Sequence, residues 1–199
     1  MHAHSMTVAA MGAAAFAGAL WLFSSTSVNG DPSGPAPRSA PTTPIGTVPD
    51  DLIAKHLTIP VPGIMPEDLA PQFYDARGER GHEALDIIAM KGEPVVAVED
   101  GTIAKLFLSK PGGITIYQFD PTETYAYYYA HLDRYADGLA EGQEVKRGQV
   151  IGYVGQTGNA VQPHLHFAIF RLSPDKQWWK GEALDPYPTL NHSIVPSTD

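Results

Sequence analysis

The sequence predicts an all-β domain, an antiparallel two-sheet sandwich-like fold, with an N-terminal hydrophobic leader and a disordered linker ahead of it. Two observations carry this expectation. From residue 85 onward, short runs of aliphatic, β-branched and aromatic residues alternate with glycine turns such as Asp100-Gly101, Pro111-Gly112-Gly113 and Arg147-Gly148. No stretch between those turns keeps a helical period of useful length, and strands this frequent pack as two antiparallel sheets.

Residues 1–25 read as a signal peptide or membrane anchor. Within them, 6–23 is the only long apolar run; it holds no charged residue and suffices for a generous signal core or a short membrane span. No Lys or Arg precedes it, and Ser24-Ser25-Thr26-Ser27 is a poor match to an Ala-x-Ala cleavage site, which favours an uncleaved anchor. Either outcome exports the domain to the periplasm or cell surface, with residues 6–23 as an inner-membrane anchor if they are retained. Residues 26–52 are dominated by Pro, Ser, Thr and Gly, as in Asp31-Pro32-Ser33-Gly34-Pro35-Ala36-Pro37, and cannot bury enough apolar surface to offset the entropy of ordering them.

The folded domain is expected over 53–190, with a tail over 191–199. Thr58-Ile59-Pro60-Val61-Pro62-Gly63 reads as its entry and Pro66-Glu67-Asp68-Leu69-Ala70 as a short helical turn. Strands follow at 85–89, 94–99, 102–108, 114–119, 124–132, 149–154 and 164–172. Residues 110–123 are expected to form a hairpin beside the cleft and to bear on specificity. After Ser173 the chain reads as coil, with Trp178 and Trp179 packed on the domain's edge rather than forming a ligand platform.

Composition narrows the chemistry. With 43% hydrophobic residues among 199, the chain can bury one sizeable core. Its net charge of −9 and lack of any basic block speak against a nucleic-acid partner. The absence of cysteine removes disulfides, thiolate metal sites and cysteine nucleophiles, so a metal would be held by His and carboxylates.

The histidines are placed to do this. His164 and His166 lie one residue apart in an apolar strand, hence on one face, where a pair of imidazoles can hold or work beside a metal. In Gly81-His82-Glu83-Ala84-Leu85-Asp86-Ile87, His82-Glu83 begins like the helical His-Glu-x-x-His motif. The fifth residue is Asp86, however, and a strand follows, so His82 and Asp86 meet at one ion only if the chain turns between them, leaving Glu83 solvated. In Tyr127-Tyr128-Tyr129-Ala130-His131-Leu132, strict alternation puts Tyr127, Tyr129 and His131 on one face, with ordinary packing as the plain role of the tyrosines.

Taken in order, these motifs resemble the M23 zinc metallopeptidases of the lysostaphin and LytM type, which hydrolyse peptide bonds in bacterial peptidoglycan. The resemblance runs over 73–172. It rests on Arg80-Gly81-His82-Glu83-Ala84-Leu85-Asp86-Ile87, on Glu93-Pro94-Val95-Val96-Ala97 with Asp100-Gly101, and on Tyr129-Ala130-His131-Leu132. Gly148-Gln149-Val150-Ile151-Gly152-Tyr153-Val154-Gly155, Thr157-Gly158-Asn159 and Pro163-His164-Leu165-His166-Phe167 complete it. The resemblance implies a LytM-type fold, Zn2+ held by His82, Asp86 and His166, and His131 and His164 as unligated catalytic histidines. Peptidoglycan peptides are the implied substrate; no sequence feature names a regulatory protein partner. The family usually has glycine where this chain has Ala84, so a positive φ there would strain the loop by roughly 1–2 kcal/mol.

Two other readings compete. A non-hydrolytic or partner-gated relative that binds or regulates cell-wall hydrolases would be expected to have lost ligands, and none is missing here. Ala89-Met90-Lys91 followed by Asp100-Gly101 faintly resembles a biotin-carrier hairpin, which leaves the histidines unexplained and conflicts with export.

Overall fold

The computed structural model describes residues 48–77 and 80–191. The apolar run at 6–23, most of the linker and the tail beyond 191 lie outside the described residues. Among the described residues no helix is long and apolar enough to cross a membrane.

The chain enters through α1 (Asp50–Ile53) and a 3-10 turn (Pro66–Asp68), the latter where the sequence predicts a helical turn. It continues through β1 (Ala76–Arg77), β2 (Arg80–Gly81), β3 (Leu85–Ile88), β4 (Pro94–Val96), β5 (Gly101–Ser109), β6 (Gly113–Phe119) and β7 (Tyr125–Leu132). Then come β8 (Arg134–Tyr135), β9 (Glu144–Val145), β10 (Val150–Tyr153), β11 (His164–Leu172), β12 (Gly181–Leu184) and α2 (Pro186–Asn191). A seven-stranded sheet runs β12-β11-β7-β6-β5-β9, with β3 also paired to β11, and a three-stranded sheet runs β4-β10-β8. Every pairing among these strands is antiparallel.

Alternation along β11 and β7 explains how one sheet serves both core and site. Leu165, Phe167 and Ile169 on β11, and Tyr125, Tyr127 and Tyr129 on β7, are buried in one cluster with Val95, Ile151 and Val154. His164, His166, Ala168 and Phe170 therefore take the opposite face of β11. Buried tyrosines need partners for their hydroxyls. Tyr129 donates to Gln118 Oε1 at 2.7 Å and accepts from the Val98 N–H at 3.1 Å, Tyr127 donates to Glu99, and Tyr125 donates to Asp51 Oδ2 at 2.8 Å.

Three expectations need correction. The segment after Ser173 is not all coil: β12 pairs with β11 and α2 follows it, with Leu184 and Leu190 in the core. Pro186 and Pro188 mask a helix of this length, because proline suits a first turn but gives no helical period to read. Residues 110–123 do not form one hairpin. They comprise the β5–β6 turn, the whole of β6 and the β6–β7 turn, so the two turns lie at opposite ends of a strand. The linker boundary at residue 52 passes through α1, whose Leu52 is buried in the core.

The β6–β7 turn is held by Asp120, whose side chain is shut off from solvent. Its carboxylate accepts from the N–H groups of Thr124 and Tyr125 at 2.6 and 2.8 Å, from the Thr122 hydroxyl at 2.6 Å and from Lys55 Nζ at 3.0 Å. Burial acts to raise its pKa, but the Thr122 and Tyr125 hydrogen bonds and the Lys55 charge outweigh it and hold the group below its ordinary value. A carboxyl depressed in the folded state stabilises the fold above its unfolded pKa, about 4, and that stability is lost as pH falls through the folded value. Asp120→Asn is expected to lower unfolding free energy by about 3 kcal/mol at pH 7 and by clearly less at pH 3. Urea titrations at the two pH values check this, and an equal loss at both would assign the effect to shape rather than charge.

Candidate active site

His82 follows β2, and its N–H donates to Asp75 O at 2.8 Å. Glu83 then turns the chain with φ 53°, its N–H donating to Phe73 O at 2.9 Å, and its side chain is exposed. Asp86 lies in β3, directly across from His166 of β11. The required turn between His82 and Asp86 is thus made, and Glu83 is the residue that makes it. Ala84 is not among the residues with positive φ and is fully buried, so the strain expected of it falls on its neighbour.

His82 Nε2 and His166 Nδ1 each stand 2.9 Å from Asp86 Oδ1 and 3.2 Å from one another. Ligand atoms around a tetrahedral zinc ion, each about 2.0–2.2 Å from it, stand roughly 3.3–3.5 Å apart. The trio therefore admits such an ion after a small outward movement, and these three residues form the group able to hold a metal among the described residues. Burial works against the Asp86 carboxylate, but hydrogen bonds to His166 and His82 overcome it and hold the group far below the carboxylate range. Burial lowers the His166 pKa despite that carboxylate. Both shifts favour the forms that bind metal, an ionised carboxylate and a neutral imidazole.

His131 reaches the same cleft by a route that alternation does not give. Between β6 and β7 the register passes from Ile114↔Leu132 to Ile116↔Tyr129, which leaves one extra residue on β7. A bulge of this kind re-aims the side chains beyond it. His131 has φ 61°, and it lines the cleft with Tyr128 while Tyr127 and Tyr129 remain in the core. The expected grouping of His131 with those two tyrosines is corrected accordingly. Its N–H donates to Gly112 O at 2.8 Å, and its Nδ1 donates to Thr157 O at 2.8 Å. Gly113 permits this approach: at φ +65°, a Cβ there would lie 2.2 Å from Thr157 Oγ1.

His164 is oriented in the same way, with Nδ1 donating to Gln162 O at 2.8 Å. Carbonyl oxygens only accept, so in both residues the proton sits on Nδ1 and Nε2 keeps its lone pair. The His131 and His164 rings are 4.8 Å apart, and His131 is 5.6 Å from His166. Burial, with the neighbouring His166 and His164 adding to it, pushes the His131 pKa down to about 4 against the Thr157 hydrogen bond. The five residues line a cleft of about 640 Å³ whose walls include Gln72, Pro111, Tyr128 and Val161.

Comparison with known proteins matches this geometry to a family. Residues 80–186, more than half of the chain, match the model described as Peptidase family M23. The chain belongs to peptidase family M23. Among relatives of this M23 chain, an L-Ala–D-Glu endopeptidase of Bacillus subtilis (strain 168) is 37% identical over 126 residues, covering 58% of this chain and 37% of the relative. The peptidoglycan DD-endopeptidase ShyC of Vibrio cholerae is 35% identical over 88 residues, covering 44% of this chain and 20% of the relative. This chain thus spans well under half the length of these curated relatives. The catalytic domain of lysostaphin from Staphylococcus simulans superposes with a TM-score of 0.51 at 32% identity, covering 59% of this chain and 86% of that one.

One residue of the M23 site escaped the sequence reading. Gln72 accepts from His82 Nδ1 with its backbone carbonyl at 3.2 Å and from the Asp86 N–H with its side-chain Oε1 at 2.9 Å. A single residue thereby sets the tautomer of His82 and the position of the strand bearing Asp86. Residues that orient metal ligands in this way typically govern metal affinity. Nothing in Gln72's own neighbourhood announces this, since its partners lie 10 and 14 positions away.

Proposed function

We propose that this M23 chain is a zinc-dependent endopeptidase that hydrolyses peptide bonds in peptidoglycan stem peptides or cross-bridges. The observation that supports it most is the convergence of His82, Asp86 and His166 within 3.2 Å beside two further histidines tied through Nδ1. Zinc held by those three residues would supply a Lewis acid that polarises the scissile carbonyl and lowers the pKa of the attacking water toward 7. With one carboxylate among its ligands, the site keeps a net positive charge for an oxyanion.

His131 and His164 are the proton carriers in this reading. Each has Nε2 available to take the water's proton, steady the oxyanion and return a proton to the leaving amine. Burial keeps His131 neutral, and so a proton acceptor, down to about pH 4. The names of the relatives point to cell-wall peptides as substrate, and the apolar run at 6–23 to export into the periplasm or to the cell surface.

The test is metal content and muropeptide release on one preparation. The full chain is purified without added metal, zinc per chain is determined, and purified peptidoglycan is digested and resolved by mass spectrometry. About one zinc per chain with new peptide ends is expected, and the ends name the bond. Zinc without cleavage would turn the reading to a gated or binding relative, and no zinc after reconstitution would overturn the ligand assignment.

A further inference from the structure

We infer that the face of the large sheet beside the cleft is a carbohydrate-binding strip, on which sugar rings of a glycan stack while its attached peptide enters the cleft. This rests on the peptidoglycan reading above and deepens it. A half-buried antiparallel sheet normally turns polar side chains outward. Here the outward face carries a connected row of aromatic rings instead.

Register builds the row. Tyr117 of β6 and Tyr128 of β7 are direct cross-strand partners, with ring centroids 4.6 Å apart. Trp178, from the segment between β11 and β12, packs on Tyr117 at 4.8 Å and on Phe107 of β5 at 5.2 Å. Trp179 meets Trp178 edge-on at 5.1 Å and is 62% exposed, while Phe107 is 39% exposed. A cap that served only to cover the sheet would have no reason to leave an indole and a phenyl ring in water. The row also begins at the site: Tyr128 lines the cleft, and its ring stands 6.1 Å from that of His166.

The chemistry of the row favours a sugar. Aromatic rings offer flat apolar faces with a hydroxyl or indole N–H at the edge. A pyranose is matched to both features, with a face of C–H groups and a rim of hydroxyls. The ligand is also expected to be neutral here, because the lysines of the same segments are already paired, Lys105 with Glu141 at 2.8 Å and Lys180 with Asp175 at 3.0 Å. Ring steps of 6.1, 4.6 and 4.8 Å lead from His166 to Trp178, at most the span of about four or five extended residues. A sugar on Trp178 and a peptide bond at the histidines can therefore belong to one molecule, and the preferred substrate is peptide still joined to glycan.

The experiment uses the full chain, zinc-loaded, with two probes. Chitotetraose, a peptide-free N-acetylglucosamine oligomer, is titrated by saturation-transfer NMR. Disaccharide-peptides are compared with the same peptides after removal of the sugar, as a ratio of kcat/KM. Chitotetraose signal is expected in the wild type and its loss in Trp178→Ala and in Tyr117→Ala, with circular dichroism confirming that each variant is folded. The wild-type ratio is expected near tenfold in favour of the sugar-bearing peptide and is expected to fall toward one in Trp178→Ala. A ratio of one in the wild type, or one that Trp178→Ala leaves unchanged, would overturn the strip while leaving the endopeptidase standing. No hydrolysis of either peptide would defeat the endopeptidase instead, and the chitotetraose titration would still decide the strip. Self-association abolished by Trp178→Ala, with no sugar bound, would replace the glycan by a second copy of this chain.

Discussion

Asp86→Ala is expected to empty the metal site and to reduce peptidoglycan hydrolysis by about a thousandfold or more, the cost of losing several kcal/mol of metal-borne stabilisation of the transition state. Asp86 is singled out among the three ligands by its central place. Its Oδ1 lies 2.9 Å from His82 and from His166, and 3.7 Å from His164 Nε2. It is also the sole carboxylate of the trio and so the part that neutralises a cation. Without it two neutral imidazoles remain, a set that holds zinc much more weakly than the three-ligand arrangement of catalytic sites. Zinc determination after dialysis and muropeptide release are the measurements. Treating the wild type with a chelator should reproduce the variant, and added zinc should restore the wild type alone. A variant that kept one zinc per chain would remove Asp86 from the ligand set.

Parts of this site were legible because they rest on the strand period or on short spacing. His164 and His166 share a face as alternation requires, and β11 has the predicted limits. The turn that brings His82 to Asp86 was also anticipated, though its strain was assigned to Ala84. The residue in left-handed backbone is Glu83, a position that composition does not mark because glycine is the usual signal for it. His131 illustrates the same limit more sharply. One inserted residue in β7 reverses the face of everything after it, and the cause is a contact with Thr157 and Gly112, which alternation cannot register.

Long-range partners account for the rest. Gln72 acquires its place only when β3 is aligned on β11, and β12 becomes a strand only by pairing with residues 169–172. Trp178 and Trp179 were expected at the domain's edge, and Trp178 does pack against the sheet's outer face. The continuity of that face with the cleft depends on the Tyr117–Tyr128 register, which no single segment reveals.

The second large effect separates the proton carriers from the ligands. His131→Ala and His164→Ala are each expected to lower kcat by about 10²–10⁴-fold while zinc stays near one per chain, because neither residue belongs to the trio that converges on Asp86. The double variant is expected to lose much less than the product of the single losses, since two groups that move protons in one reaction act as a unit. His131 also tests the bulge. Gly113→Ala, which places a methyl group against Thr157 Oγ1, should displace the Thr157 carbonyl that holds His131. It should therefore imitate His131→Ala in kcat with the metal retained. If Gly113→Ala kept full activity, the geometry that turns His131 into the cleft would not matter to the reaction. Loss of zinc together with activity in His164→Ala would carry more weight still: with its Nε2 already 3.7 Å from Asp86 Oδ1, that residue would have to be counted as a ligand rather than a carrier of protons.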